Sequence, residues 1–285
     1  MKKLLSSLII ICMVIVSCSN NNHAASESET AVIRVATPGM HPLFSRANAE
    51  GKLEGYDIDV WEEIGRRLGK KIEWTQVAME GAFGSLESGK VDTVTQQISI
   101  TPVRLEKYIF SEPYFLSPYR FYVAGTNDSI TKLEDLFGKK LGLQTGTSSH
   151  ENIKALDPEG KIEIVSFSPD TVATIPNNVV NGKISASTTA VIIFPNLQES
   201  TGLDIKMVGD VIFTEVNAFP FRKDEAGQKL RDEVSKVIVE MREDGTLEKL
   251  AVKWFGYNPM EGLDANEALA KLMEQYEQQG LLKNN

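Results

Sequence analysis

The chain has 285 residues, 42% of them hydrophobic, and a formal net charge of −9. That length and composition allow a sizeable core in one large domain or two smaller ones, and the acidic balance argues against nucleic acid or an anionic membrane surface as a partner. There are only two cysteines, and the three histidines, His23, His41 and His150, lack metal-ligand spacing, so no metal and no other cofactor is expected.

Residues 1–17 have the layout of an export signal, with Lys2 and Lys3 ahead of an apolar core from Leu8 to Val16. That core is too short to span a bilayer as a helix. It ends in IVSC, which resembles a bacterial lipoprotein signal. The resemblance implies cleavage before Cys18 and lipid on its thiol, leaving an extracytoplasmic protein anchored to the cell membrane. Cys12 is lost with the signal, and so are two lysines and no acid, which moves the charge from −9 to −11. Residues 18–30 include NNNHAASESET, which has no apolar periodicity and is expected to be a flexible tether. No later apolar run reaches spanning length.

From Val32 short β-rich runs alternate with helical patterns. VIRVAT predicts a strand and MHPLFSRANAEGKLEGY a loop. Asp57 to Leu68 predicts an amphipathic helix, with Ile58, Trp61, Ile64 and Leu68 on one stripe and Gly69 as its stop. KKIEWTQV predicts a strand, Glu80 to Ser88 a short helix and Val91 to Thr95 a strand. This rhythm predicts a parallel sheet covered by helices. The stretch YIFSEPYFLSPYRFYVA is extended, and then the rhythm restarts. Leu133 to Phe137 predicts a short helix, KKLGLQ a strand, Glu151 to Leu156 a helix and KIEIVSF a strand. Asp170 to Asn181 is helical, with a kink or early end at Pro176. KISAST and DIKMVG are expected strands before an extended crossing from Val211 to Phe221. Gly227 to Glu243 predicts a long helix with Leu230, Val234, Val237, Ile238 and Met241 on one stripe. A short helix then reaches WFG, and the polar tail reads as a helix on the surface. Trp61, Trp74, Tyr114 and Phe115 are assigned to packing.

Two strand-to-helix turns carry anion-binding chemistry. In QQISITPVR, Thr101 is a hydroxyl N-cap and Pro102 takes the first helical position. Arg104 then falls in the first turn, where free N–H groups and a guanidinium suit a carboxylate; the alternative is a solvated surface charge. In LQTGTSSHE, Gly146 permits a tight turn and Thr147 or Ser148 caps the next helix. Ligands of open α/β sheets sit at the carboxyl ends of strands, where both turns lie.

The ordered set of ATPGMHPLF, EGKLEGYDIDVWEEIGRRLG, LESGKVDTVTQQISITPVRLEKYIFSEPY, KKLGLQTGTS, NGKISAS, FPFRKDE and EDGTLEKLAVKWFG resembles the polar amino-acid class of bacterial extracellular solute-binding proteins, the receptors of ABC importers. VNAFPFRK and QQI resemble the cystine-type lipoproteins of that class. The resemblance covers about Val32 to Gly256. It implies an α/β, periplasmic-binding-protein-like fold of two lobes, each a mostly parallel sheet with helices on both faces, joined by two hinge strands. Residues 31–118 with 219–256 would form lobe 1, residues 119–218 an inserted lobe 2, and residues 257–285 a C-terminal helical extension.

The resemblance implies that Arg104 pairs with a ligand α-carboxylate, helped by Thr147 and Ser148. Ser99 and the Gln97 carbonyl would hold the α-ammonium. His41 and Met79 would be walls, Gln144 would line the second lobe, and Thr189 and Ala190 would sit at its deeper edge. Relatives often carry an acid at Ala190 that pairs with the ammonium. Here the strand reads SASTTA, and Glu80 or Glu215 is the available substitute. The expected function is that of a monomeric receptor that captures a free amino acid, cystine or another sulfur-containing or neutral polar one, and delivers it to a membrane permease. A dehydratase-like enzyme and a sensory module on the same scaffold are the alternatives. An enzyme needs a titrating group in the cleft, and His41 is the one the expected lining offers.

Overall fold

The computed structural model describes residues 31–168 and 170–282. The signal, Cys18 and the tether lie outside the described residues. In the first half, β1 (Val32–Thr37) is followed by β2 (Met40–His41), β3 (Ser45–Ala47) and β4 (Leu53–Glu54), which pair antiparallel where the sequence suggested only a loop. α1 (Tyr56–Leu68) buries Ile58, Trp61 and Ile64, and Gly69 closes it at φ 64°, a conformation glycine adopts without strain. β5 (Lys71–Gln76) runs parallel to β1 on one side, and β6 (Thr93–Val94) runs parallel on the other. α2 (Met79–Glu87) joins them. β6 is shorter than expected because the Asp92 side chain, not another backbone carbonyl, accepts the Arg34 amide at 2.9 Å and binds its guanidinium. α3 (Pro102–Lys107) and β7 (Tyr108–Phe110) follow.

β8 (Phe115–Ala124) leads into the second half. There β9 (Lys140–Gln144), α4 (Ser148–Leu156), β10 (Glu163–Phe167), α5 (Ile175–Val180), β11 (Ala186–Ala190), α6 (Phe194–Thr201) and β12 (Ile205–Asn217) follow one another. The sheet order is β10-β9-β11-β8-β12. β9, β10 and β11 are mutually parallel, while β8 and β12 run against their neighbours. The two strands expected between 204 and 221 are a single β12 with a register shift between Val208 and Phe213. At that irregularity Gly209 has φ 69°, and a Cβ there would sit 2.2 Å from the Thr131 carbonyl oxygen, so only glycine fits. Pro176 does not kink a helix: it lies in the first turn of α5, where its missing N–H costs nothing. α6 was not anticipated, although Pro195 in its first turn and Gly202 at its left-handed end are start and stop signals.

β13 (Pro220–Arg222) returns to pair with β7. α7 (Glu225–Glu243), capped by Asp224, buries Val234, Val237, Ile238 and Met241 as its stripe predicts. α8 (Thr246–Phe255) completes the first half. Its aromatic core stacks Tyr114 on Phe219 at 4.1 Å and sets Trp61 4.6 Å from Phe219. Trp74 is only half-buried, its indole donating to Glu62 at 2.9 Å. α9 (Ala265–Gln278) corrects the expectation of a surface helix: Leu272 and Tyr276 are buried against Ile98, Ile100, Leu116 and Val216.

Candidate functional site

Beyond β6 the chain turns through Gln96 at φ 117° and Gln97 at φ 54°, values that strain a residue with a Cβ. Asp57, buried in the first turn of α1, holds this turn. Its Oδ2 accepts the amides of Gln96 and Gln97 at 2.9 Å each, Thr95 Oγ1 at 2.8 Å and the Tyr114 hydroxyl at 3.0 Å. Burial pushes its pKa up to about 6 against the pull of those bonds. Gln97 Nε2 donates to Ser117 Oγ at 2.6 Å, and Ser117 donates to Asn217 Oδ1 at 2.9 Å. Asn217 Nδ2 closes the loop on the Gln97 carbonyl at 3.1 Å, leaving that oxygen one lone pair.

The turn delivers the chain to α3. Thr101 caps it by accepting the Arg104 amide at 3.4 Å, with Pro102 in the first turn. Arg104 Nη1 donates to the Ser99 carbonyl at 2.7 Å, and its guanidinium carbon lies 5.5 Å from the centre of the Phe83 ring. It makes no ion pair among the described residues. Burial depresses its pKa, with Glu215 opposing.

Glu215 on β12 is the acid of the site. It is 8% exposed and accepts Ser99 Oγ at 2.6 Å, Ser148 Oγ and the Tyr119 hydroxyl. Burial raises its pKa; the three hydroxyls and the Arg104 charge act in the other direction. Its proximity pushes the Tyr119 hydroxyl up further than burial alone does. Ser148 begins α4, whose cap Thr147 accepts the His150 amide at 3.4 Å and donates to the Gln144 carbonyl at 2.9 Å.

A cavity of about 820 Å³ brings Met79, Gln97, Ser99, Arg104, Thr147 and Ser148 together with Tyr119 and Glu215. Gln144 and Thr189 line a neighbouring cavity of about 460 Å³, which shares Tyr119 and Thr147 with the first. His41 and Ala190 line neither. His41 packs edge-on against Phe44 at 4.9 Å, and burial lowers its pKa to about 4. Ala190 is 3% exposed in the cluster that holds Phe44, Tyr56 and Phe115, where an unpaired acid would be costly. Glu215 was noticed in the sequence only as a substitute acid, its signal being one carboxylate inside an otherwise β-prone run, VIFTEVNAF. Gln275, Tyr276 and Gln279, which also line the larger cavity, gave no sequence signal for a site.

Besides the exposed Glu151 and Lys154 on α4, the cavity brings one partly buried cation, Arg104, to one buried anion, Glu215, and no cluster that could hold a metal occurs among the described residues. Two α/β halves joined by paired strands and carrying such a cavity define a two-lobed binding protein. The chain belongs to the bacterial extracellular solute-binding proteins, family 3, whose pattern matches residues 33–257, and its place is therefore outside the cytoplasm. It is 37% identical over 233 residues to a putative amino-acid ABC transporter-binding protein, PatH, of Vibrio harveyi, covering 82% of this chain and 92% of that one. It is 28% identical to the L-cystine-binding protein TcyJ of Escherichia coli, covering 80% and 84%. The crystal structure of the probable amino-acid ABC transporter extracellular-binding protein ytmK from Bacillus subtilis superposes with a TM-score of 0.72 at 26% identity, covering 80% of this chain and 99% of that one.

Proposed function

We propose that the protein captures a free α-amino acid in the larger cavity and delivers it to an ABC import permease. Arg104 would take the α-carboxylate, and Glu215, with Ser99, the α-ammonium. The observation that carries this reading is a buried carboxylate whose hydrogen-bond partners are hydroxyls, in one cavity with a half-buried guanidinium that has no ion pair among the described residues. Glu215 has lost most of its water and Arg104 part of it, the two act on each other only at longer range, and a zwitterion supplies a contact counter-charge to each at once. Lobe 1 would comprise residues 31–118 and 219–256, lobe 2 residues 119–218, and residues 257–285 the extension. The mature chain would be a monomer, released from its signal before Cys18 and held at the membrane by lipid on that residue.

Cystine, or another sulfur-containing or neutral polar amino acid, is the favoured ligand. Support comes from the L-cystine-binding relative and from Met79, a soft, polarizable wall suited to sulfur. With Glu215 taking the ammonium, the other acid that lines this cavity among the described residues is the exposed Glu151, a poor partner for a desolvated arginine or lysine side chain. A thermal-shift screen of the standard amino acids and cystine tests this. A ligand at a hundred times its Kd adds about 2.7 kcal/mol of stability. A shift with arginine or lysine and none with cystine overturns the ligand assignment.

One observation favours the enzyme reading: a buried acid with a raised pKa is also what a proton-transfer catalyst needs. Incubation with ligand followed by mass spectrometry separates the two. Unchanged ligand is expected, and turnover overturns the receptor reading.

A further inference from the structure

α9 lies beyond residue 257, where the family match ends. It is nonetheless seated with care. Asp264 caps it, accepting the amides of Asn266 and Glu267 at 2.8 Å each. Leu272 and Tyr276, one turn apart on the same face, are 8% and 7% exposed. The Tyr276 hydroxyl donates to the Ile100 carbonyl at 3.0 Å, in the segment that leads into Thr101 and Arg104. The helix is thus pinned to the backbone that positions Arg104. On its cavity side Tyr276 is flanked by Gln275 and Gln279, and all three line the cavity with Arg104 and Glu215. Gln275 also lines, with Asn152 and Leu156 of α4, a third cavity of about 430 Å³, so the helix borders both halves.

We infer that α9 is a third wall of the ligand site and that Gln275 and Gln279 are specificity-determining residues that bind the distal, hydrogen-bonding end of the ligand side chain. The inference rests on the proposed amino-acid receptor. Arg104 and Glu215 fix the part that all amino acids share, so discrimination falls to groups elsewhere in the cavity. A side-chain amide offers two donors and an acceptor without charge. A pair of them recognises an uncharged polar end, or the second head group of a cystine, better than an aliphatic one. Tyr276, beside them, is held by its bond to Ile100 and fixes that wall of the cavity.

The test compares the full-length wild type with a Gln275→Ala/Gln279→Ala variant by calorimetry against the twenty standard amino acids and cystine, with Arg104→Ala alongside. Gln275 is half-buried and Gln279 exposed, so the double variant should melt with the wild type when unliganded. Its affinities should fall roughly five- to tenfold for ligands with polar side-chain ends and stay level for aliphatic ones, as expected for lost hydrogen bonds. Affinities that move in parallel with the wild type across the whole set, while Arg104→Ala fails to bind, would overturn the role of α9 and leave the receptor standing. Wild-type binding by Arg104→Ala would overturn the carboxylate role of Arg104, and a wild type that binds none of these ligands would overturn the receptor reading itself.

Discussion

Ser99 Oγ donates to Glu215 Oε2 at 2.6 Å across 116 positions of sequence, while Ser148, from the other half of the molecule, donates to the second oxygen. One carboxylate thus collects a hydroxyl from each side of the cleft. Glu215→Gln keeps the shape and removes the charge. It should cost roughly 3 kcal/mol of ligand binding, more than a hundredfold in Kd, if the acid pairs with the ammonium. The unliganded variant should be at least as stable as the wild type, because a buried charge has been removed. Calorimetry and thermal unfolding measure the two quantities, and unchanged affinity would remove Glu215 from the site.

Binding should also fall with acid. The Glu215 pKa is raised above its usual 4.5, and the protonated acid cannot pair with an ammonium. Affinity should therefore drop as pH falls through that raised value, in the wild type and not in Glu215→Gln. Titrations at several pH values decide it; a profile shared by both proteins would assign the effect to another group.

Arg104→Ala should abolish measurable binding, and Arg104→Lys should bind weakly, because lysine lacks the planar fork that matches a carboxylate. The side chain makes one hydrogen bond, to the Ser99 carbonyl, so the free protein should lose only about 1 kcal/mol of stability. Near-normal affinity in the alanine variant contradicts the carboxylate role. A collapse in melting temperature would show that Arg104 serves the fold.

Asp57 gives a prediction about stability. Its pKa rises from 3.8 to about 6 on folding. The folded state binds the proton more tightly, so the stabilisation is complete below about pH 3.8 and is lost as pH rises through about 6. Relative to Asp57→Asn, the wild type should lose about 3 kcal/mol over that window. Denaturant unfolding at pH 4 and pH 7 measures it. Equal differences at both pH values would mean that folding does not raise the Asp57 pKa.

Cys18→Ala should leave the protein without lipid. Metabolic labelling with a fatty acid reads this directly, and equal label on both forms refutes the anchor.

Local chemistry was legible where it is local. Thr101, Pro102 and Arg104 lie within four residues, and cap, proline and first-turn cation all appear where the spacing puts them. The apolar stripes of α1 and α7 and the stop at Gly69 depend on neighbours a turn away. Glu215 was harder because its facing depends on the register shift between Val208 and Phe213. A one-residue slip in a strand moves every side chain to the opposite face, and Gly209, the local sign of the shift, does not say how many residues the register moves. The α9 helix was visible as a pattern, but its partners Ile98, Ile100 and Val216 lie far away in sequence. Pro176 misled because a proline marks a break or a start with equal force.

The chain passes between the halves as a ribbon, not as two separate strings. β8 and β12 are paired from Phe115 with Asn217 to Tyr119 with Phe213, and Ile100 and Ala218 bond that ribbon to the first half. Sliding one strand along the other would break the ladder, so twisting is its softest deformation. Glu215 sits on this ribbon opposite Ser117, on the element about which such a twist would turn, and Ser148 of the second half reaches it by a hydrogen bond. The point that would grip the ligand's positive charge therefore barely travels. If the halves do rotate about the ribbon, the carboxylate would stay nearly in place while groups farther from it move.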